Sequence, residues 1–186
     1  LQGELQHLRH ENTALRQLLA IDRPHSYRWR AAHTIAHSPD ARHRHLLLQI
    51  DGAAVDDVVV SEQGLVGLIT AVSGHHATVR TVLDGSIAIP VTNSSQTLAA
   101  LVHGEGDHLS VDLIARSQHP EIGDVLYSSG AGGLIPQGVP VARVTSVTPV
   151  AGALFVKMSA APVAQWQHNH WLAVAHLPVD RYSTTP

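Results

Sequence analysis

Ser128-Ser129-Gly130-Ala131-Gly132-Gly133 is the stretch of this chain nearest in composition to a nucleophile loop, because a serine in a Gly-rich turn can be presented to an acyl carbon. Acyl transfer also needs a histidine base and a carboxylate to orient it. The chain has 15 His, so some ring must lie near some serine. Yet a Ser stands where an Asp should precede the nucleophile, and no particular His and Asp are marked as its partners; a tight turn needing glycine for positive φ is the simpler reading. Asp56-Asp57 and Glu105-Gly106-Asp107 put carboxylates side by side, but at turn positions where such acids are ordinarily solvated. Gly130 to Gly133 opens no helix and lacks a lysine, so it is no phosphate loop. His43 with His45, and His168 with His170, are i, i+2 pairs that would share one strand face, a spacing able to hold a metal. A third ligand is not visible, and solvated His is the plainer reading. These residues predict no catalytic, cofactor-binding or metal site, no cofactor, and a protein that is not an enzyme. Two other classes stay open: an extracytoplasmic ligand- or metal-binding module using the His pairs, and a serine hydrolase built on Ser129.

The elements that would position such residues begin with a heptad. Leu1, Leu5, Leu8, Asn12, Leu15 and Leu19 recur at alternating spacings of four and three. With Leu1 at d, Leu5, Asn12 and Leu19 fall at a, Leu8 and Leu15 at d, Glu4 and Glu11 at g, and Arg9 and Arg16 at e. In a parallel pair each g glutamate meets the e arginine five residues on in its partner, and one Asn at an a position favours two strands in register. The expectation is a parallel dimer through Leu5, Leu8, Asn12, Leu15 and Leu19. An amphipathic helix packed on its own domain would also show a leucine stripe. Pro24 stops the helix, giving residues 1–23 a rod of about 34 Å at 1.5 Å per residue. Three heptads are marginal alone, which points to further coil upstream of Leu1.

After Pro24 the period changes to two. Short runs rich in Val, Ile, Leu and Thr occupy 31–37, 46–50, 58–60, 65–72, 78–83, 86–92, 98–103, 109–115, 124–127, 139–147, 154–158 and 171–175. No helical pattern lies between them, so the body is β, as small barrels or sandwiches. Asp84-Gly85 between two alternating runs reads as a two-residue type I′ hairpin. A faint repeat, Asp57-Val58-Val59-Val60-Ser61 with Gly64-Leu65-Val66-Gly67 against Asp124-Val125-Leu126-Tyr127-Ser128 with Gly132-Gly133-Leu134-Ile135, fits two related barrels.

Composition narrows the function further. A formal charge of −3, one Lys and no basic cluster argue against nucleic acid, whose binding rests on phosphate neutralisation. No apolar run reaches the 18 or more residues of a membrane span. Absent Cys excludes disulfides and thiolate chemistry but leaves the compartment open. Fifteen His against 12 Lys plus Arg predicts sensitivity to pH between about 5 and 7.5, with mild acid opposing self-assembly.

A series of landmarks then carries a resemblance. Glu11-Asn12-Thr13-Ala14-Leu15-Arg16-Gln17-Leu18-Leu19 closes the coil, and Leu48-Gln49-Ile50-Asp51-Gly52 closes an early strand. Gly64-Leu65-Val66-Gly67, Val82-Leu83-Asp84, Gly123-Asp124-Val125-Leu126-Tyr127-Ser128-Ser129-Gly130 and Gly133-Leu134-Ile135-Pro136-Gln137-Gly138-Val139-Pro140-Val141 follow in order. Each is weak alone; together, from about Leu5 to Ala175, they resemble MreC, the bacterial rod shape-determining family. The chain departs from the family's pattern at Asp56-Asp57, at Ala142-Arg143 and in its His content.

The resemblance implies a mainly β fold: an N-terminal coiled-coil helix (1–23), one β-barrel from 28–74 with 136–178, a second, inserted barrel from 75–135, and a flexible tail at 179–186. A sequential split near Ala99 is the alternative. It also implies a single transmembrane helix upstream, anchorage in the inner membrane, and a periplasmic or extracytoplasmic location. The family's role is a non-catalytic scaffold of lateral peptidoglycan synthesis that keeps cells rod-shaped, self-associating and contacting penicillin-binding protein 2, the elongation transpeptidase, with MreD, MreB and RodZ. Leu134, Ile135 and Pro136, apolar residues on a Gly-flanked loop, are the expected partner anchor, together with exposed strand edges. The bland reading of Leu134 and Ile135 is that they plug a barrel end.

Overall fold

A computed structural model describes residues 2–19, 27–37, 44–115, 120–149 and 156–176, with side chains of the helix described through Glu11. Among these are one helix, α1 (Gln2–Leu19), and twelve strands: β1 (Arg28–His37), β2 (His45–Gln49), β3 (Val58–Val60), β4 (Leu65–Ser73), β5 (His76–Thr81), β6 (Ala88–Thr92), β7 (Ala99–Gly104), β8 (Leu109–Ala115), β9 (Val125–Ser128), β10 (Pro140–Pro149), β11 (Val156–Pro162) and β12 (Trp171–His176). Every predicted run corresponds to a strand. The helix stop at Pro24, His43 and the tail at 179–186 lie outside the described residues.

The strands close into two six-stranded barrels, ordered β1-β12-β3-β4-β5-β2 and β10-β11-β8-β7-β6-β9. Period two places the core. Leu46 and Leu48 on β2 face inward opposite Val79 and Ala77 on β5, while the intervening residues are more exposed. In the second barrel Ile89 sits opposite Val102, and Val102 opposite Val111. The ladders β4–β5, β6–β7 and β7–β8 join consecutive strands antiparallel, so short turns suffice between them.

The second barrel, 88–162, is inserted between β5 and β12 of the first. Its limits differ from those expected. β5 belongs to the first barrel, because it pairs with both β2 and β4; β10 and β11 belong to the second, pairing with β9 and β8. A split near Ala99 would cut through β7 and is excluded. Asp84-Gly85 does not form the expected hairpin. The runs flanking it belong to different sheets, and neither residue takes the positive φ that a type I′ turn demands. The tight β4–β5 turn is instead Gly74-His75, with Gly74 at φ 58°. Closure also removes the expected strand edges, since β1 pairs with β2 and β10 with β9.

The two barrels meet through backbone at close range. Gly106 N donates to Leu83 O (3.0 Å) across the junction. A Cβ on Gly104 would lie 2.3 Å from the Leu83 carbonyl carbon, and one on Gly64 2.3 Å from Pro140 O. Both neighbours are backbone, which cannot rotate aside. Gly104→Ala is therefore expected to lower stability by about 1–3 kcal/mol, read as a lower urea midpoint with unchanged slope. The same cost should not attend Gly132→Ala in spatial terms, since nothing stands within 4 Å there, although its φ of 81° adds strain.

Candidate interaction surfaces

Ser128 is the most buried polar side chain in the Gly-rich stretch, and its surroundings explain why. It ends β9 facing inward, where its hydroxyl donates to Pro136 O (2.5 Å) and accepts from Val139 N (2.9 Å). Ser128 N also donates to Val139 O (2.8 Å), and Gly138 N to Ser128 O (2.9 Å). Four bonds thus tie the neck of a loop spanning 129–138. Ser129 is spent within it, its Oγ accepting from Ala131 N (3.3 Å). Gly130, Gly132, Gly133 and Gly138 all take positive φ, as the tight-turn reading requires. The serine here is a structural fastener.

That loop divides the expected partner anchor. Leu134 is 36% exposed, whereas Ile135 is 8% exposed and joins the core, and Pro136 is buried with its carbonyl held by Ser128. Only Leu134 of the three offers its side chain to solvent. Tyr27, leading into β1, donates its hydroxyl to Gly133 O (3.4 Å), so the loop also leans on the first barrel's entry.

The helix presents the second surface. Leu5 and Leu8, at a and d, are 53% and 57% exposed, while the contact with the first barrel runs along a different edge. Glu11 at g accepts from Trp171 Nε1 on β12 (3.1 Å), and His7 at c lies 3.1 Å from the same carboxylate oxygen. The side chains of Asn12, Leu15 and Leu19 lie outside the described residues.

The acids and histidines take structural posts. Asp57, expected in a solvated turn, is buried: its Oδ2 accepts from Ala54 N (2.8 Å) and its Oδ1 faces His176 Nδ1 (2.7 Å). Asp56 beside it takes φ 73°, so the pair turns sharply and sends one acid inward. Glu105 and Asp107 hold Ser110 and His108 at the β7–β8 turn. His168 and His170 lie in the loop before β12 rather than on a strand, so the shared strand face does not exist; His170 stacks on His33 instead, with ring centres 6.5 Å apart. His45 faces Asp84 at 3.4 Å. Among the described residues no three His, Cys, Asp or Glu converge to hold a metal.

Asp84 anchors the crossing from the first barrel to the second. Burial pushes its carboxyl pKa up, but Ser86 outweighs that by donating both its hydroxyl (2.6 Å) and its backbone N–H (2.9 Å), and Arg80 and His45 add positive charge; the net result lies below 3.8. A depressed folded pKa gives stability that is present above 3.8 and lost as pH falls through the folded value. Asp84→Ala should therefore cost about 1–2 kcal/mol at pH 7. The gap between variant and wild type should narrow below pH 3.8 in acid-titrated urea melts.

These geometries define a class: a helix-led pair of closed barrels, one inserted in the other, with large apolar side chains exposed at Leu5 and Leu8 on the helix, at Val55, Ile122 and Leu134 in loops, and at Ile35 on β1 and Val72 on β4. No described helix is long and apolar enough to cross a membrane. The family model described as rod shape-determining protein MreC, barrel core, matches residues 35–176, and the chain belongs to that family. A cell shape-determining protein MreC of Haemophilus influenzae is 36% identical over 116 residues, covering 61% of this chain and 33% of that protein. The chain thus spans about a third of the length of the curated relatives it matches. The crystal structure of MreC from Pseudomonas aeruginosa superposes with a TM-score of 0.74 at 27% identity, over 79% of this chain and 98% of that one. A complex between penicillin-binding protein 2 and MreC from Helicobacter pylori shares the fold, with a TM-score of 0.63 at 17% identity over 81% and 98%.

Proposed function

We propose that this chain is the extracytoplasmic part of a membrane-anchored, non-catalytic scaffold of lateral peptidoglycan synthesis, and that it maintains rod shape by assembling and positioning the elongation machinery. The observation that carries this reading is the barrel-core match over residues 35–176. A parallel coiled coil through Leu5, Leu8, Asn12, Leu15 and Leu19 makes the dimer. The exposed seam at Leu5 and Leu8, beside a helix edge that already has its barrel contact, supports that arrangement. Penicillin-binding protein 2 is the principal partner, in keeping with the Helicobacter pylori complex, and MreD, MreB and RodZ complete the assembly.

Leu134 is the docking residue proposed for the transpeptidase; Ile135 and Pro136 act beneath it, holding the loop's shape. The test is capture of the transpeptidase's extracytoplasmic part by this chain, with and without residues 1–23. Leu134→Ser should weaken capture about tenfold, the loss of one buried leucine contact, with melting temperature unchanged. Ile135→Ser should lower the melting temperature, because it places a hydroxyl in the core. Undiminished capture by folded Leu134→Ser would move the docking site elsewhere, and no capture by wild type would refute the proposed function.

A further inference from the structure

Glu11 is the meeting point of three elements. One of its carboxylate oxygens, Oε1, receives the indole N–H of Trp171 on β12 and faces His7 Nε2, each at 3.1 Å. Among the described residues both contacts fall on Oε1, and none falls on Oε2. Trp171 is itself held from the side: His33 on β1 meets its ring edge-on with centres 5.1 Å apart, and His33 stacks with His170. The indole is therefore fixed by the barrel before it reaches the helix. On the helix, g adjoins d and c lies on the far side of g, so Glu11 borders the exposed stripe of Leu5 and Leu8 and His7 lies one step further from it.

A second helix laid in that seam, parallel and in register, brings its e position five residues on to each g position. The heptad then sets the partner subunit's Arg16 opposite Glu11, whose second carboxylate oxygen is an acceptor of the kind a guanidinium N–H needs. We propose that Glu11 is a three-way joint, bound through one oxygen to Trp171 of its own barrel and through the other to the partner subunit's Arg16, so that pairing of the rods fixes the angle at which each barrel pair leaves the rod. The proposal rests on the parallel-coil reading and goes beyond it. A coil alone would hold two chains together, whereas the joint also sets where the barrels point. Glu11, Trp171 and Arg16 are positioning residues.

The chain has no cysteine, so nitroxide labels can be placed singly, on Gly3→Cys at the helix and Ser73→Cys at the end of β4. Distances between labels are measured by pulsed electron resonance on the whole chain, alongside sedimentation. The wild-type background should sediment as a dimer and give narrow distributions for both labels. Trp171→Phe keeps the ring and removes its N–H; it should at least double the width of the Ser73→Cys distribution while Gly3→Cys stays narrow. Glu11→Gln keeps an acceptor for Trp171 and loses the charge that Arg16 needs, and Arg16→Gln loses the other half of the pair; both should broaden the same distribution. Unchanged Ser73→Cys widths in dimers of all three variants overturn the joint and leave the coil standing. A wild-type chain that sediments as a monomer overturns the coil, and the joint with it.

Discussion

Replacing Trp166 by alanine should lower stability by about 3–5 kcal/mol and the melting temperature by on the order of 10 °C. Trp166 lies on the return from β11 to β12, the second crossing between barrels, and is 1% exposed. It belongs to one apolar cluster that draws on both barrels, from Leu46, Leu48 and Val79 of the first to Ile89, Val102 and Met158 of the second. Removing the indole opens a cavity that barrel walls, closed by hydrogen bonds on both sides of each strand, collapse into poorly. The loss should appear as one shifted transition in urea, because the barrels share that cluster. Trp166→Phe separates volume from polarity. The indole Nε1 has no acceptor among the described residues, so phenylalanine removes an unmet donor along with some volume. Its cost should be less than half that of alanine.

Leu8→Glu should abolish the proposed dimer while leaving the barrels as stable as before. Leu8 is 57% exposed in the single chain, so the fold loses little there. In the proposed coil the same side chain sits at d against its counterpart, where burial of each leucine is worth about 1.5–3 kcal/mol. Two chains lose it together and two like charges take its place, so the dissociation constant should rise at least about a hundredfold, as sedimentation equilibrium would show. Asn12→Leu should act oppositely, tightening association while admitting other strand numbers. A variant at position 8 that dimerises as wild type would place self-association outside the seam.

Most of the architecture was legible because each strand carries its own period. Alternation in runs such as Leu46-Leu47-Leu48 and Ala77-Thr78-Val79 marks an inward face whichever barrel receives it. That same locality hid the barrel limits. β5 and β6 look like one hairpin across Asp84-Gly85, and only long-range pairing sends them to different sheets. Glycines at the junction were equally silent. Gly104 lies in β7 with no positive φ and no turn to announce it, and Gly64, in the β3–β4 turn, has no positive φ either; both are required because another backbone lies against them.

The surfaces divide along similar lines. The a and d leucines are a sequence pattern, and of these Leu5 and Leu8 are exposed in the single chain. The loop at 129–138 was found by its glycines, but which apolar residue faces out depends on the bonds from Ser128 to Pro136 and Val139 at its neck. Glu11 to Trp171 spans 160 positions, and Asp57 to His176 spans 119, so neither contact leaves a local trace. The clue available for Asp57 was its place just before an uninterrupted run of three valines, where a turn residue enters the core.

The central claim is that a paired rod presents two-barrel heads to the elongation transpeptidase. Sedimentation velocity of the wild-type chain mixed with the extracytoplasmic part of penicillin-binding protein 2 tests it most directly. The expected species has the mass of two chains with two transpeptidases, falling to one of each with Leu8→Glu. A transpeptidase that sediments alone beside excess chain would contradict it.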